Sequence, residues 1–138
     1  MSTEQNLATL ERARQQWNAG NLEGYLQLYA PDVVLLGYVG VESGLVSVRQ
    51  FYQHFWAAFP GSQLVFEDVF AAADKVACRF VVHATHQGPF QGIAPTGKRV
   101  TQPGITILQF SEGKCVERWS QADFMGLLSQ LGALPSQP

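Results

Sequence analysis

The sequence predicts an α+β domain, with helices first, an antiparallel meander after them and a short closing helix. Three observations carry this reading. Apolar residues recur at helical spacing as far as Phe59. From residue 63 onward the period changes to two. The 138 residues suit one domain, 1–138, and leave little room for a second. A hydrophobic fraction of 46% against a charged fraction of 14% favours a packed globule over a disordered chain.

Residues 4–19 form the first predicted helix, because Leu7, Leu10, Arg14 and Trp17 share one side and Gly20 is a natural stop. Asn21 can cap a second, short helix carrying Leu22, Tyr25, Leu26 and Tyr29, which Pro31 ends. The apolar run 33–38 reads as a strand and the Gly40–Gly44 stretch as a loop. Leu45, Val48, Tyr52, Phe55 and Phe59 then mark the clearest helix of the chain, terminated by Pro60-Gly61. Strands are predicted over 63–72, 75–86, 99–110 and 114–122, with tight turns at Asp74-Lys75 and Glu112-Gly113. The Gly88–Gly97 stretch, with Pro89 and Pro95, is the longer loop. A last helix near 124–131 presents Phe124, Leu127, Leu128 and Leu131, Gly132 ends it, and Pro135–Pro138 is expected to fray.

The strands are apolar on both faces. In 76–86 one face holds Val76, Cys78, Phe80, Val82 and Ala84, while the other still carries Ala77 and Val81. An antiparallel sheet with one wet face alternates more cleanly than this. The expectation is therefore a homodimer in which a partner subunit covers the outer face.

Charge and composition exclude several classes. The net charge is −2 and no basic run exists, so nucleic acid is not an expected partner. No apolar run approaches the roughly 18 residues of a membrane span. The polar, amphipathic start MSTEQNLATLERARQQW has no signal-peptide core, and a cytoplasmic location is expected. Cys78 and Cys115, far apart and each inside a strand, read as buried reduced thiols. Neither they nor His54, His83 and His86 have zinc-ligand spacing, so no metal is expected. Gly92-Ile-Ala-Pro-Thr-Gly97-Lys98 has P-loop spacing, but Arg99 follows where a Ser or Thr would hold magnesium. The next segment contains Pro103 and Gly104 and cannot begin a helix, so no nucleotide site is expected.

Specific strings stand in the second half: THQGPFQGIAPTGK at 85–98, EGKCVERWSQAD at 112–123 and GLLSQLG at 126–132. In order and spacing they resemble the signature of the SnoaL-like polyketide (ester) cyclases, a branch of the NTF2-like folds, over about residues 4–132. The resemblance implies a cone-shaped barrel, a curved and mostly antiparallel sheet wrapped around N-terminal helices. It implies a cofactor-free intramolecular aldol condensation on a polycyclic methyl ester, with an acidic residue as general acid/base. The Trp-x-x-x-Asp match carries that role onto Asp123. Two departures stand out: Val33–Gly37 has no polar side chain where the family often has one, and Gly61 replaces an acidic residue after Phe-Pro.

A two-residue hairpin at Glu112-Gly113 would set Ser111 opposite Lys114, Leu108 opposite Glu117, Thr106 opposite Trp119 and Gln102 opposite Asp123. Trp119, Gln121 and Asp123 then share a face with Gln102 and Thr106, forming a pocket floor of an aromatic plate, two amides, a hydroxyl and a carboxylate. A carboxylate in an apolar cavity has a raised pKa and can both take and return a proton. Gln102 or Gln121 could donate to a developing enolate. From the local sequence alone, Asp123 also reads as the N-cap of the last helix, a role that weakens a base. His86 belongs to the family string and is a candidate for the pocket rim; Tyr25 is a candidate for its wall. Arg79 and His83 read as an exposed or partner-facing pair, and His54 as solvated. The ligand expected is a small apolar or polycyclic molecule. A non-catalytic binding module, or an isomerase or hydrolase on the same scaffold, are the alternatives, since one fold hosts many activities.

Overall fold

The computed structural model describes residues 2–38 and 40–134. The expected fraying of Pro135–Pro138 lies outside the described residues. Helix α1 spans Thr3–Asn18 and α2 spans Leu22–Leu26; strand β1 covers Tyr29–Leu36 and helix α3 Leu45–Ala58. Four strands follow, β2 Gln63–Ala72, β3 Lys75–Thr85, β4 Arg99–Ser111 and β5 Lys114–Ala122, before the closing helix α4, Phe124–Gln130. The sequence-predicted α+β order is thus the observed one.

Local chemistry explains the helix starts. Ser2 and Gln5 form a reciprocal capping box, each side chain bonding the other's backbone N–H, at 3.1 and 2.8 Å. Asn21 caps α2 by accepting the Gly24 N–H at 3.0 Å, as its sequence position predicts. α3 has no capping side chain; it begins at Gly44, whose N–H donates to the Val33 carbonyl at 2.7 Å. That bond straps the loop before α3 back onto β1.

The sheet has the order β1-β5-β4-β3-β2, with β1 parallel to β5 and every other pair antiparallel. β1 and β2 are its edges, so the sheet is open and does not close into a barrel. α1, α2 and α3 lie against the concave face. Leu10, Ala13 and Trp17 from α1, Val48, Tyr52 and Phe55 from α3, and Val76, Cys78, Phe80 and Val82 from β3 are all buried there. The β3 side chains are the face that the period-two pattern marks as inward.

Most boundaries fall within a residue or two of expectation; the β2–β3 turn lies at Ala73-Asp74 rather than Asp74-Lys75, because Lys75 already pairs with Ala72, and the largest difference is at β1. β1 begins at Tyr29, not at residue 33, because Tyr29 already pairs with Cys115 of β5. Tyr29 therefore belongs to a strand, not to the second helix. Pro31 is tolerated inside β1 because this is an edge strand whose register shifts between Tyr29 and Val34. The β4–β5 hairpin turns where predicted, with Glu112 at φ 50° and Gly113 at φ 79°, and Ser111 does face Lys114. A bulge follows at once: Phe110 pairs with Cys115, but Gln109 pairs with Glu117, leaving Val116 as the extra residue. Every later pair is one residue off the expected register: Thr106 faces Ser120 and Ile107 faces Trp119.

β1 leaves the sheet at Gly37, with φ 84°. A Cβ there would sit 2.1 Å from the Ser120 carbonyl oxygen of β5. Gly37→Ala is expected to destabilise the protein by about 1–3 kcal/mol from backbone strain alone, with the clash adding to it. A wild-type urea midpoint for this variant would show that the turn relaxes freely.

Candidate active site

One cavity of about 600 Å³ lies between the helices and the concave face of the sheet. Its walls are aromatic: Trp17 from α1, Tyr25 from α2, Tyr52 and Phe55 from α3, Phe66 from β2 and Phe80 from β3. Trp17 anchors this wall, its ring centroid 5.1 Å from Tyr25, 5.4 Å from Tyr52 and 5.1 Å from Trp56 in edge-on geometry. Gly104 in β4 leaves room for the Phe80 ring, since a Cβ there would lie 2.5 Å from it.

The polar centre of the cavity is Arg118, which is 8% exposed. Its Nε donates to Thr106 Oγ1 at 2.9 Å, and Thr106 in turn donates to the Trp119 carbonyl at 2.8 Å. Its Nη1 donates to the hydroxyls of Tyr25, at 3.0 Å, Tyr29, and Tyr52, at 3.5 Å. The Tyr25 and Tyr29 hydroxyls also bond each other at 2.7 Å. Burial pushes all three phenols above the ordinary tyrosine value, so they are neutral hydroxyls near neutral pH. Burial opposes the charge of Arg118, but a guanidinium is not deprotonated in proteins and stays cationic here, with neutral hydroxyl oxygens accepting from it. The site therefore contains a permanent buried cation.

The bulge at Val116 places Arg118 here. It turns Arg118 and Ser120 inward and Trp119 outward, the reverse of strict pairing from the turn. This corrects the assignment of Trp119 to the pocket floor. Trp119 is 53% exposed on the convex face, its Nε1 donating to Glu117 Oε2 at 3.1 Å. Arg118 went unnoticed in the sequence reading. One signal pointed to it: strict alternation from buried Cys115 would bury the Glu117 carboxylate, and a one-residue slip removes that cost.

Tyr25, Gln102, Thr106 and Gln121 all border the cavity. Gln102 and Thr106 share the concave face of β4, while Gln121 lies at the mouth beside Gly37. Asp123 is also at the mouth, but exposed rather than enclosed, so the apolar burial expected for it is not there. It is the N-cap of α4, with Oδ1 accepting the Gly126 N–H at 2.8 Å. Oδ2 has no hydrogen-bond donor among the described residues.

His86 does not reach the rim, a second correction. It is fully buried, and Nδ1 accepts the Thr96 N–H at 3.1 Å and lies 3.0 Å from Thr96 Oγ1. Backbone bonds from His86 N to the Lys98 carbonyl and from Gly97 N to the His86 carbonyl close the same loop. His86 packs against Phe59 at 5.4 Å and anchors a loop whose Phe90 and Gln91 do line the cavity. Its effect on the pocket is therefore indirect.

Elsewhere, Arg79 pairs with Glu67 and Asp68 on the exposed sheet face. Cys78 and Cys115 are free thiols pushed up to about 11 by burial. Among the described residues no group of three or more His, Cys, Asp or Glu could hold a metal ion, and no helix is long and apolar enough to cross a membrane.

Comparison with known proteins assigns the family. The model of the SnoaL-like polyketide cyclases matches residues 8–131. The structure of AclR from Streptomyces galilaeus, named as a candidate hydroxylase, superposes with a TM-score of 0.88 at 35% identity, covering 99% of this chain and 91% of that one. IdmH from Streptomyces antibioticus, named as a candidate polyketide cyclase, gives 0.79 at 28% identity over 92% of this chain and 98% of its own. The curated aklanonic acid methyl ester cyclase AcmA of Streptomyces galilaeus is 37% identical over 60 residues, a stretch spanning 44% of this chain and 42% of that relative. With a matching family model over nearly its whole length and the same helix-backed sheet, the chain belongs to the SnoaL-like polyketide cyclase family.

Proposed function

We propose that the chain is a cyclase-type enzyme that closes a ring by an intramolecular aldol-type step on a mostly apolar, polycyclic small molecule, without a cofactor. The observation that carries this reading is one aromatic cavity of about 600 Å³ with a buried Arg118–tyrosine cluster inside and the Asp123 carboxylate at its mouth. That volume suits a drug-sized ligand. Arg118, within β5, and Asp123, just past its end, both border the cavity, so one ligand can reach both. Asp123 takes a proton from the carbon between two carbonyls. The enolate carbon then attacks a ketone of the same molecule, and the new alkoxide recovers the proton from Asp123. A 1,3-dicarbonyl spreads its own charge, and Gln102 and Gln121, which both border the cavity, can donate to its oxygens.

Two other readings each have an observation in their favour. The cap bond between Asp123 and Gly126 suits a binding module without turnover. The full-length similarity to AclR suits hydroxylation of a similar ligand. Incubation with aklanonic acid methyl ester, the compound in AcmA's name, separates them by mass spectrometry. Ring closure yields an isomer of unchanged mass and new retention. A product heavier by one oxygen supports hydroxylation, and ester retained unchanged by the protein supports simple binding.

We further propose that the convex sheet face meets a second copy of the chain. Trp119, Ile107, Ala77 and Phe70 form one cross-strand row there, with Phe70 68% and Trp119 53% exposed. Arg79, Glu67 and Asp68 flank the row and can pair across a twofold axis. Trp119→Glu, which places a charge in the row, is expected to convert dimer to monomer in sedimentation experiments. A wild-type protein that sediments as a monomer would sink the proposal.

A further inference from the structure

Arg118 is buried and charged, and has no counter-ion among the described residues. The ion pairs among the described residues are Arg14 with Glu11, Arg49 with Glu23, and Arg79 with Glu67 and Asp68; Arg118 is in none of them. All its protein partners are neutral oxygens, from Thr106 and three tyrosines. They engage Nε and Nη1 only. A guanidinium has five N–H donors in a planar fork, and the two on Nη2 donate to no protein group among the described residues. The residue is more than nine-tenths buried and lines the cavity.

Other charged groups at the cavity do not neutralise it. Arg14 is itself cationic and paired with Glu11. Asp123 stands exposed at the mouth and is in none of the ion pairs among the described residues. A buried charge left unpaired is among the more costly features a fold can carry. The tyrosine and threonine oxygens hold Nε and Nη1 and leave Nη2 without a protein acceptor among the described residues, on a side chain that lines the cavity. This is the arrangement of a preorganised anion receptor rather than of a structural ion pair.

We propose that Arg118 is the anion anchor of the cavity, and that its ligand presents an anionic oxygen, conjugated to a flat ring frame, to Nη2. The inference rests on the reading of the cavity as a small-molecule site and narrows the ligand to acidic polycycles: enolates of 1,3-dicarbonyls, or ring carboxylates. Tyr25, Tyr29 and Tyr52 act as positioning residues for the guanidinium. Neutral polycycles of the same shape fit the aromatic walls but leave Nη2 unpaired.

Two matched pairs of fluorescence-quenching ligands test this: 4-hydroxycoumarin, an enolate near neutral pH, against coumarin, and 2-naphthoate against 2-naphthamide. The wild-type protein is expected to bind at least one anion tenfold or more tighter than its neutral partner, and the pair that discriminates identifies the oxygen class. Arg118→Met is expected to bring that ratio near one. Arg118→Lys, which keeps the charge but loses the fork, is expected to retain part of the preference and serves if the methionine variant does not fold. Equal binding of anion and neutral partner by the wild type would overturn the anchor while leaving the cavity reading intact. Binding of neither pair would overturn both.

Discussion

Asp123→Asn is expected to lower turnover about 10²- to 10⁴-fold, the usual contribution of the general acid/base we propose it to be, while leaving the melting temperature unchanged. The two halves of this result separate two roles of one side chain. Asn caps a helix as well as Asp does, so the Gly126 N–H bond survives the substitution. Only the ability to carry a proton is lost. Asp123→Ala, by contrast, removes the cap as well and is expected to cost about 1 kcal/mol in stability. Both variants are read by product formation from aklanonic acid methyl ester alongside thermal denaturation. If Asp123→Asn turns over substrate at the wild-type rate, the carboxylate is a cap and nothing more.

Trp17→Ala is expected to lower stability by about 3–5 kcal/mol, the cost of emptying a large buried aromatic site. Trp17 is 4% exposed and packs against Tyr25, Tyr52, Phe55 and Trp56 at once. Its Nε1 also donates to buried Ser62 Oγ at 3.2 Å, tying α1 to the start of β2. A small domain has only about 5–15 kcal/mol in hand, so this one change removes a large share of it. Urea denaturation checks the value, and a loss under 1 kcal/mol would show that the wall rearranges around the gap. Trp17→Phe keeps most of the ring contact and is expected to fall well short of that loss.

Much of the cavity wall was legible. Tyr25, Gln102, Thr106 and Gln121 border it because each sits at a position that helix or strand periodicity turns inward, or at the open end of a strand. The departures at Trp119 and Arg118 have a common cause. A strand reading assumes unbroken alternation, and a single extra residue at Val116 exchanges the two faces of the rest of β5. That residue carries no glycine or proline to mark it. Trp119 was accordingly placed inside and Arg118 overlooked. His86 was misplaced for another reason: the loop it anchors folds back on it through Thr96, a contact that no periodicity encodes.

From the sequence alone came the order of helices and strands, the inward face of β3 and the Glu112-Gly113 turn, which depend on residue spacing within one segment, so local sterics and apolar periodicity decide them. The family came from the sequence by another route, the resemblance of the strings at 85–98, 112–123 and 126–132. The polar centre was decided only by the tertiary structure. Arg118 meets Tyr52 across 66 residues, Tyr29 across 89 and Tyr25 across 93, so its partners come from three separate elements. A buried charge is defined by what surrounds it in space, and that environment exists only once those elements have packed around the cavity.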